Sequence, residues 1–217
     1  TPFFDDFTKE RTLYTPGLRG CTVLAIISRK GVFLGHYWES KSFSPDDGER
    51  LPLTDGKKET DDQVWDRTVK KGLTDGINIK GEGVPQQKSL TELAKNFRDD
   101  DIKAYIIRPR KSQAQEVAEE AGASPEPEAK WGYPERWDEM RTIVEDLIPK
   151  VKRPGGWNVR IYDAVSGEDA DDLLEKISQG RVLFKFDPTH GGTRRKPVRR
   201  AMLWSEQLEL HSDEWDG

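Results

Sequence analysis

The stretch TVLAIIS (22–28), followed by RKG (29–31) and VFLGHYW (32–38), contains the strongest structural signal of this 217-residue chain. Two apolar runs rich in β-branched and aromatic residues flank a short polar turn, which predicts a β-hairpin. The first run is apolar throughout, so its strand is expected to be buried on both faces.

The length of the turn decides which side chains share a face of this hairpin. If the loop has two residues, Ser28 faces Gly31. Cys21, immediately before the first strand, and His36, on the second, then lie diagonally across from each other on one face, within side-chain reach. A change of one residue in the pairing would place the two side chains on opposite faces.

The rest of the chain alternates between helical and strand patterns. Helices are predicted over 61–72, 89–97, 133–150 and around 173–177, and strands over 102–108, 157–162, 181–186 and 197–204. Residues 41–62 and 187–196 have the composition of loops. This mixture predicts an α+β fold with a mixed, largely antiparallel β-sheet or sandwich flanked by helices.

Length and composition predict a single domain over residues 1–217, large enough to bury a core. Charged residues make up 35% of the chain, but seven Trp and eight Phe supply apolar area for folding. Residues 111–130 are rich in Glu, Ala, Gln and Pro. This composition predicts a flexible segment, either a short exposed helix with a linker or disorder.

Charge and hydropathy bear on the partners of the chain. The net charge of −5 gives no global attraction to nucleic acid or to anionic membranes. No apolar run approaches the length of a membrane span. The start, Thr1 to Phe4, has neither an initiator Met nor the pattern of a signal peptide, which suggests a processed or excised chain. The sequence is compatible with both a secreted effector and a cytoplasmic protein.

The single cysteine, Cys21, rules out an intramolecular disulfide and raises the question of thiol chemistry. It follows the turn 16–20, where a strand end can present its sulfur beside unpaired N–H groups. A thiol near its free pKa is mostly protonated at pH 7, so a nucleophilic cysteine needs a base. His36 is the nearby candidate for that base.

The sequence LRGCT (18–22), with His36 fifteen residues after Cys21 on the returning strand, resembles the Cys–His glutamine deamidases. That superfamily includes the cytotoxic necrotizing factors, the bacterial lethal-factor deamidases and the chemoreceptor glutamine deamidases, which share a Leu-Ser-Gly-Cys type of motif. Arg19 stands where the family commonly has Ser.

The resemblance implies a β-sandwich flanked by helices, with Cys21 as nucleophile and His36 as base. It implies that the main chain of Gly20 and Cys21 holds the oxyanion, and it makes Arg19 and Thr22 candidates for substrate binding. The implied substrate is a glutamine-bearing protein, and the implied context is a toxin or effector. Transglutamination and proteolysis would use the same residues.

Other features have simpler interpretations. His190, in the Gly-rich stretch 187–192, is a loop residue or else helps to position substrate. The basic run 194–200 is a solvated strand end or a docking patch, and without a nucleic-acid-binding module nucleic acid is an unlikely partner. No metal-ligand spacing or phosphate loop is found, so neither a metal nor a cofactor is expected. The alternative function is a non-enzymatic interaction module with a buried structural Cys21.

Overall fold

The computed structural model describes residues 3–5, 7–76, 88–95, 97, 101–165, 167 and 169–217. The strands of this part of the chain form two sheets. They are β1 (Phe3–Asp5), β2 (Arg11–Thr15), β3 (Thr22–Ser28), β4 (Gly31–Tyr37), β5 (Lys103–Pro109), β6 (Trp157–Tyr162), β7 (Val182–Thr193), β8 (Lys196–Ser205) and β9 (Leu208–Asp216).

The first sheet has the order β1-β4-β3-β5-β6 and is mixed, because β5 and β6 run parallel while the other neighbours are antiparallel. Its centre is the predicted hairpin. Ser28 pairs with Gly31 and Val23 with His36, which confirms the register expected for a two-residue loop. β3 is buried along its whole length, as predicted.

The second sheet has the order β2-β7-β8-β9 and is antiparallel throughout. The prediction of a loop over 187–196 was wrong, because β7 and β8 continue through it to a tight turn at Arg194 and Arg195. A register shift between Asp187 and Gly191 accommodates Pro188, which has no N–H to donate to a neighbouring strand.

The helices lie between and after the strands of the first sheet. They are α1 (Asp61–Trp65), α2 (Lys71–Thr74), α3 (Leu90–Leu93), α4 (Gln113–Glu120), α5 (Pro134–Leu147) and α6 (Ala170–Lys176). A π-helical turn joins α1 to α2. Thr60 caps α1 through a capping box with Gln63. No helix in the described part of the chain is both long and apolar enough to cross a membrane.

The elements pack in three layers, which confirms the α+β fold. One apolar cluster lies between the two sheets and includes Val23, Val32 and Phe184. A second cluster lies between the first sheet and the helices and includes Leu24, Trp65 and Met140. Because alternate residues of a strand point to opposite faces, Val23 and Leu24 belong to different clusters. Cys21 belongs to the cluster between the sheets.

Candidate functional site

The loop from β2 to β3 places Cys21 at the entrance of the central strand. Leu18 is buried and donates its N–H to the carbonyl oxygen of Gly180 at 2.7 Å, which anchors the middle of the loop. Gly20 has φ +84°, a conformation that costs a side-chain-bearing residue energy. This turn brings the chain into β3 with Cys21 facing the second sheet.

Two buried side chains fix the backbone around Cys21. The Tyr162 hydroxyl donates to the Cys21 carbonyl oxygen at 2.7 Å. The Trp137 indole N–H donates to Thr22 Oγ1 at 3.0 Å, so the Thr22 side chain points to the helical layer and away from the face that carries Cys21. The backbone at Cys21 is therefore held by one side chain of the first sheet and one of the helical layer.

The thiol itself is in a desolvated environment, since Cys21 is only 4% exposed. Burial raises the pKa of Cys21, and the backbone amides of Glu39 and Arg19, which hydrogen-bond the sulfur, oppose that rise. The negative charge of Glu39 raises the pKa further. The resting thiol therefore keeps its proton at neutral pH.

His36 lies on the same face of the hairpin as Cys21. Its ring stacks on that of Trp38, with centroids 4.9 Å apart. In the hairpin ladder His36 pairs with Val23, and Cys21 lies two residues before Val23. His36 Nδ1 lies 2.9 Å from the Oγ1 atom of Thr15, the last residue of β2. Burial lowers the pKa of His36 to about 4, so the imidazole is neutral at pH 7.

A cavity of about 290 Å³ opens beside the imidazole, between β2 with the residues that follow it and the β3–β4 hairpin. This volume is at the small end of the range for ligand pockets and suits a single side chain better than a large ligand. The lining is mostly apolar and consists of Leu13, Tyr14, Thr15, Pro16, Val23, Leu34 and His36.

The remaining predicted site residues lie at varying distances from this centre. Gly20 adjoins Cys21, and the Arg19 guanidinium donates to the carbonyl oxygen of Gly167 at 3.3 Å. His190 lies eight residues along β7 from Val182, the partner of Thr15, which is roughly 25 Å at the rise of a strand. There His190 contacts Glu214 at 3.4 Å. The structure does not bring His190 to the Cys21 site.

Three neighbours of the site were not predicted: Thr15, Glu39 and Tyr162. Thr15 directly precedes the turn that leads to Cys21, and this position was the only local signal available for it. Glu39 follows β4 by two residues, and nothing in the sequence around it distinguishes it from a surface glutamate. Tyr162 is 141 residues from its partner Cys21, a contact that only the tertiary structure creates.

Comparison with protein-family models, curated proteins and solved structures finds no match to this chain. Within the described residues, no group of three or more His, Cys, Asp or Glu side chains is arranged to hold a metal ion. The site must therefore be interpreted from its own geometry.

Proposed function

We propose that this protein is a Cys–His hydrolase acting on a glutamine side-chain amide of a protein substrate. The observation that carries the proposal is the hydrogen bond between Thr15 and His36, on the face of the hairpin that also carries Cys21. A nucleophile, a base and a group that orients the base are the parts that a thiol hydrolase needs.

The contact with Thr15 suits His36 for the role of base. In the tautomer with hydrogen on Nδ1, that N–H donates to Thr15 Oγ1 and leaves Nε2 as the basic nitrogen. Trp38 stacks on the ring and limits its rotation. The neutral imidazole can then accept a proton from Cys21 during attack, without a preformed thiolate.

The reaction follows from these roles. His36 Nε2 takes the thiol proton while the sulfur of Cys21 bonds to the amide carbon, and backbone N–H groups at the loop stabilise the oxyanion. The imidazolium, made more acidic by its partly buried site, gives this proton to the nitrogen as the C–N bond breaks and ammonia leaves. Water, deprotonated by His36, then attacks the thioester carbon. The C–S bond breaks, the thiol recovers its proton and glutamate is released.

The direct test is ammonia release from glutamine-rich proteins, with the converted residue located by a mass increase of about 1 Da. Cys21→Ser and His36→Ala should each abolish release by the purified chain. Release that persists in both variants would contradict the proposal. With amine added, incorporation of the amine in place of ammonia loss would identify a transglutaminase that uses the same centre.

Thr15 offers a matched pair of variants for the orienting role. Thr15→Ser keeps the hydroxyl and should retain most of the activity, while Thr15→Val keeps the shape and should lose it by about tenfold or more. A positioning role predicts that kcat falls while KM changes little. Equal loss in both variants, or a loss confined to KM, would argue against it.

The burial of Cys21 favours a second candidate, a non-enzymatic interaction module in which the thiol is part of the core. In that case the basic run 194–200 is available to dock a partner, since Arg194 and Arg195 lie at the exposed tip of the β7–β8 hairpin. Such a module should release no ammonia, and its Cys21 should react with alkylating reagents only when the protein unfolds.

A further inference from the structure

A buried glutamate lies against the loop that carries the proposed nucleophile. Glu39 is 6% exposed and is the first residue of the π-helical turn after β4. Its Oε1 accepts hydrogen bonds from the Tyr133 hydroxyl at 2.6 Å and from the Gln113 N–H at 3.0 Å. A buried carboxyl held by two donors has a fixed position and not the freedom of a surface side chain.

The other carboxyl oxygen faces the nucleophile loop. A Cβ atom built on Gly20 would lie 1.7 Å from Glu39 Oε2, so the absence of a side chain at Gly20 is what lets the carboxyl approach. The backbone of Glu39 lowers the pKa of the Cys21 thiol by hydrogen bonding, while the negative charge of the Glu39 side chain raises it.

The chemistry of the Glu39 carboxylate and of a substrate amide suggests that Glu39 selects the substrate. Burial raises the pKa of the Glu39 carboxyl, while the hydrogen bonds from Tyr133 and Gln113 favour its ionised form. The ionised carboxylate only accepts hydrogen bonds. A substrate carboxamide offers two N–H donors on its leaving nitrogen, whereas the carboxylate product offers none and carries a negative charge. A fixed carboxylate beside the sulfur attracts the substrate carboxamide and repels the carboxylate product.

We infer that Glu39 selects a neutral, hydrogen-donating carboxamide at Cys21 and excludes carboxylates, including the reaction product. This inference rests on the proposed function for its biological meaning, because it assigns the substrate class of that site. It makes Glu39 a specificity determinant that touches the amide nitrogen, while Tyr133 and Gln113 hold it in place.

The test uses two alkylating reagents that differ only in the group of interest. Iodoacetamide carries a carboxamide and iodoacetate a carboxylate, and the chain has one thiol, so intact mass reports the modification of Cys21 alone. The measured quantity is the ratio of the two rate constants, iodoacetamide over iodoacetate. The urea-unfolded chain gives the intrinsic ratio at the same pH and salt concentration.

We expect the native ratio to exceed the unfolded ratio by about tenfold or more, and Glu39→Gln to remove most of that excess. The matched control is Glu135→Gln, which removes an exposed carboxylate in the first turn of α5. This control should keep the ratio within about twofold of the wild type. If Glu39→Gln does not fold, the native ratio of the wild type still decides.

A native ratio equal to the unfolded one, or the same ratio in wild type and Glu39→Gln, would overturn the inference. Native Cys21 that reacts with neither reagent would overturn it too, because a substrate amide could not reach the sulfur. The two proposals fail separately. Ammonia release with an unchanged ratio removes the role of Glu39, while a shifted ratio without any ammonia release removes the proposed activity.

Discussion

His211, which is buried, and His36, which is partly buried, should make the folded protein sensitive to mild acid. Burial lowers the pKa of both His36 and His211 to about 4, from 6.5. His211 is 5% exposed, and its Nδ1 lies 2.9 Å from the Tyr105 hydroxyl. Between pH 6.5 and 4 the unfolded chain binds a proton at each imidazole and the folded chain does not. The free energy of unfolding is therefore highest above pH 6.5 and falls as the pH is lowered to 4.

The size of the effect follows from the same values. The gap between 6.5 and about 4 corresponds to about 3 kcal/mol for each histidine. Both together approach about 6 kcal/mol, a large part of the 5 to 15 kcal/mol typical of a folded domain. Within the window each histidine contributes a slope of about 1.4 kcal/mol per pH unit.

Urea denaturation between pH 4.5 and 7.5 measures this slope. His211→Asn should reduce it by about 1.4 kcal/mol per pH unit near pH 5, whatever the variant costs in stability at pH 7. The control is Thr60→Ala, which lowers stability without removing an ionisable group and should therefore keep the wild-type slope. Equal slopes in the wild type and His211→Asn would refute the argument that His211 is buried in its neutral form.

Three further substitutions test the packing around the site and the fold. Gly20→Ala should cost about 2 kcal/mol or more in thermal unfolding, because φ is positive and the new methyl group meets Glu39; an unchanged melting temperature would contradict the contact. Tyr162→Phe leaves the Cys21 carbonyl without its buried donor and should cost about 1 to 3 kcal/mol by urea denaturation, against no loss if the bond is absent. Thr60→Ala removes a helix cap and should cost about 1 kcal/mol in the same assay, while Thr60→Ser should not.

The hairpin and its register could be predicted from the sequence because their causes are local. A two-residue turn and a strict alternation of faces fix which residues pair, and Cys21 and His36 come to one face by that rule alone. The start of α1 likewise has a local cause, because Thr60 and Gln63 form a capping box. The α+β class follows from the same local patterns.

The other strands and the unpredicted neighbours of the site depend on contacts between distant parts of the chain. β9 carries alternating charged residues and a short apolar face, so its strand character emerges only when β8 pairs with it. Thr15 reaches His36 because the two sheets meet face to face, and Glu39 reaches Gly20 because the chain turns back after β4. Such pairings have no periodicity in the sequence that would indicate them.

The central claim is that His36 acts as the base for Cys21, and alkylation of the native thiol tests it most directly. Iodoacetamide labelling between pH 6 and 9 is compared for the wild type, His36→Ala and the same proteins unfolded in urea. The account predicts labelling of native wild type that falls about tenfold or more in His36→Ala, with equal rates after unfolding. Equal native rates in both proteins, or labelling only after unfolding, would contradict the claim and leave Cys21 as a residue of the core.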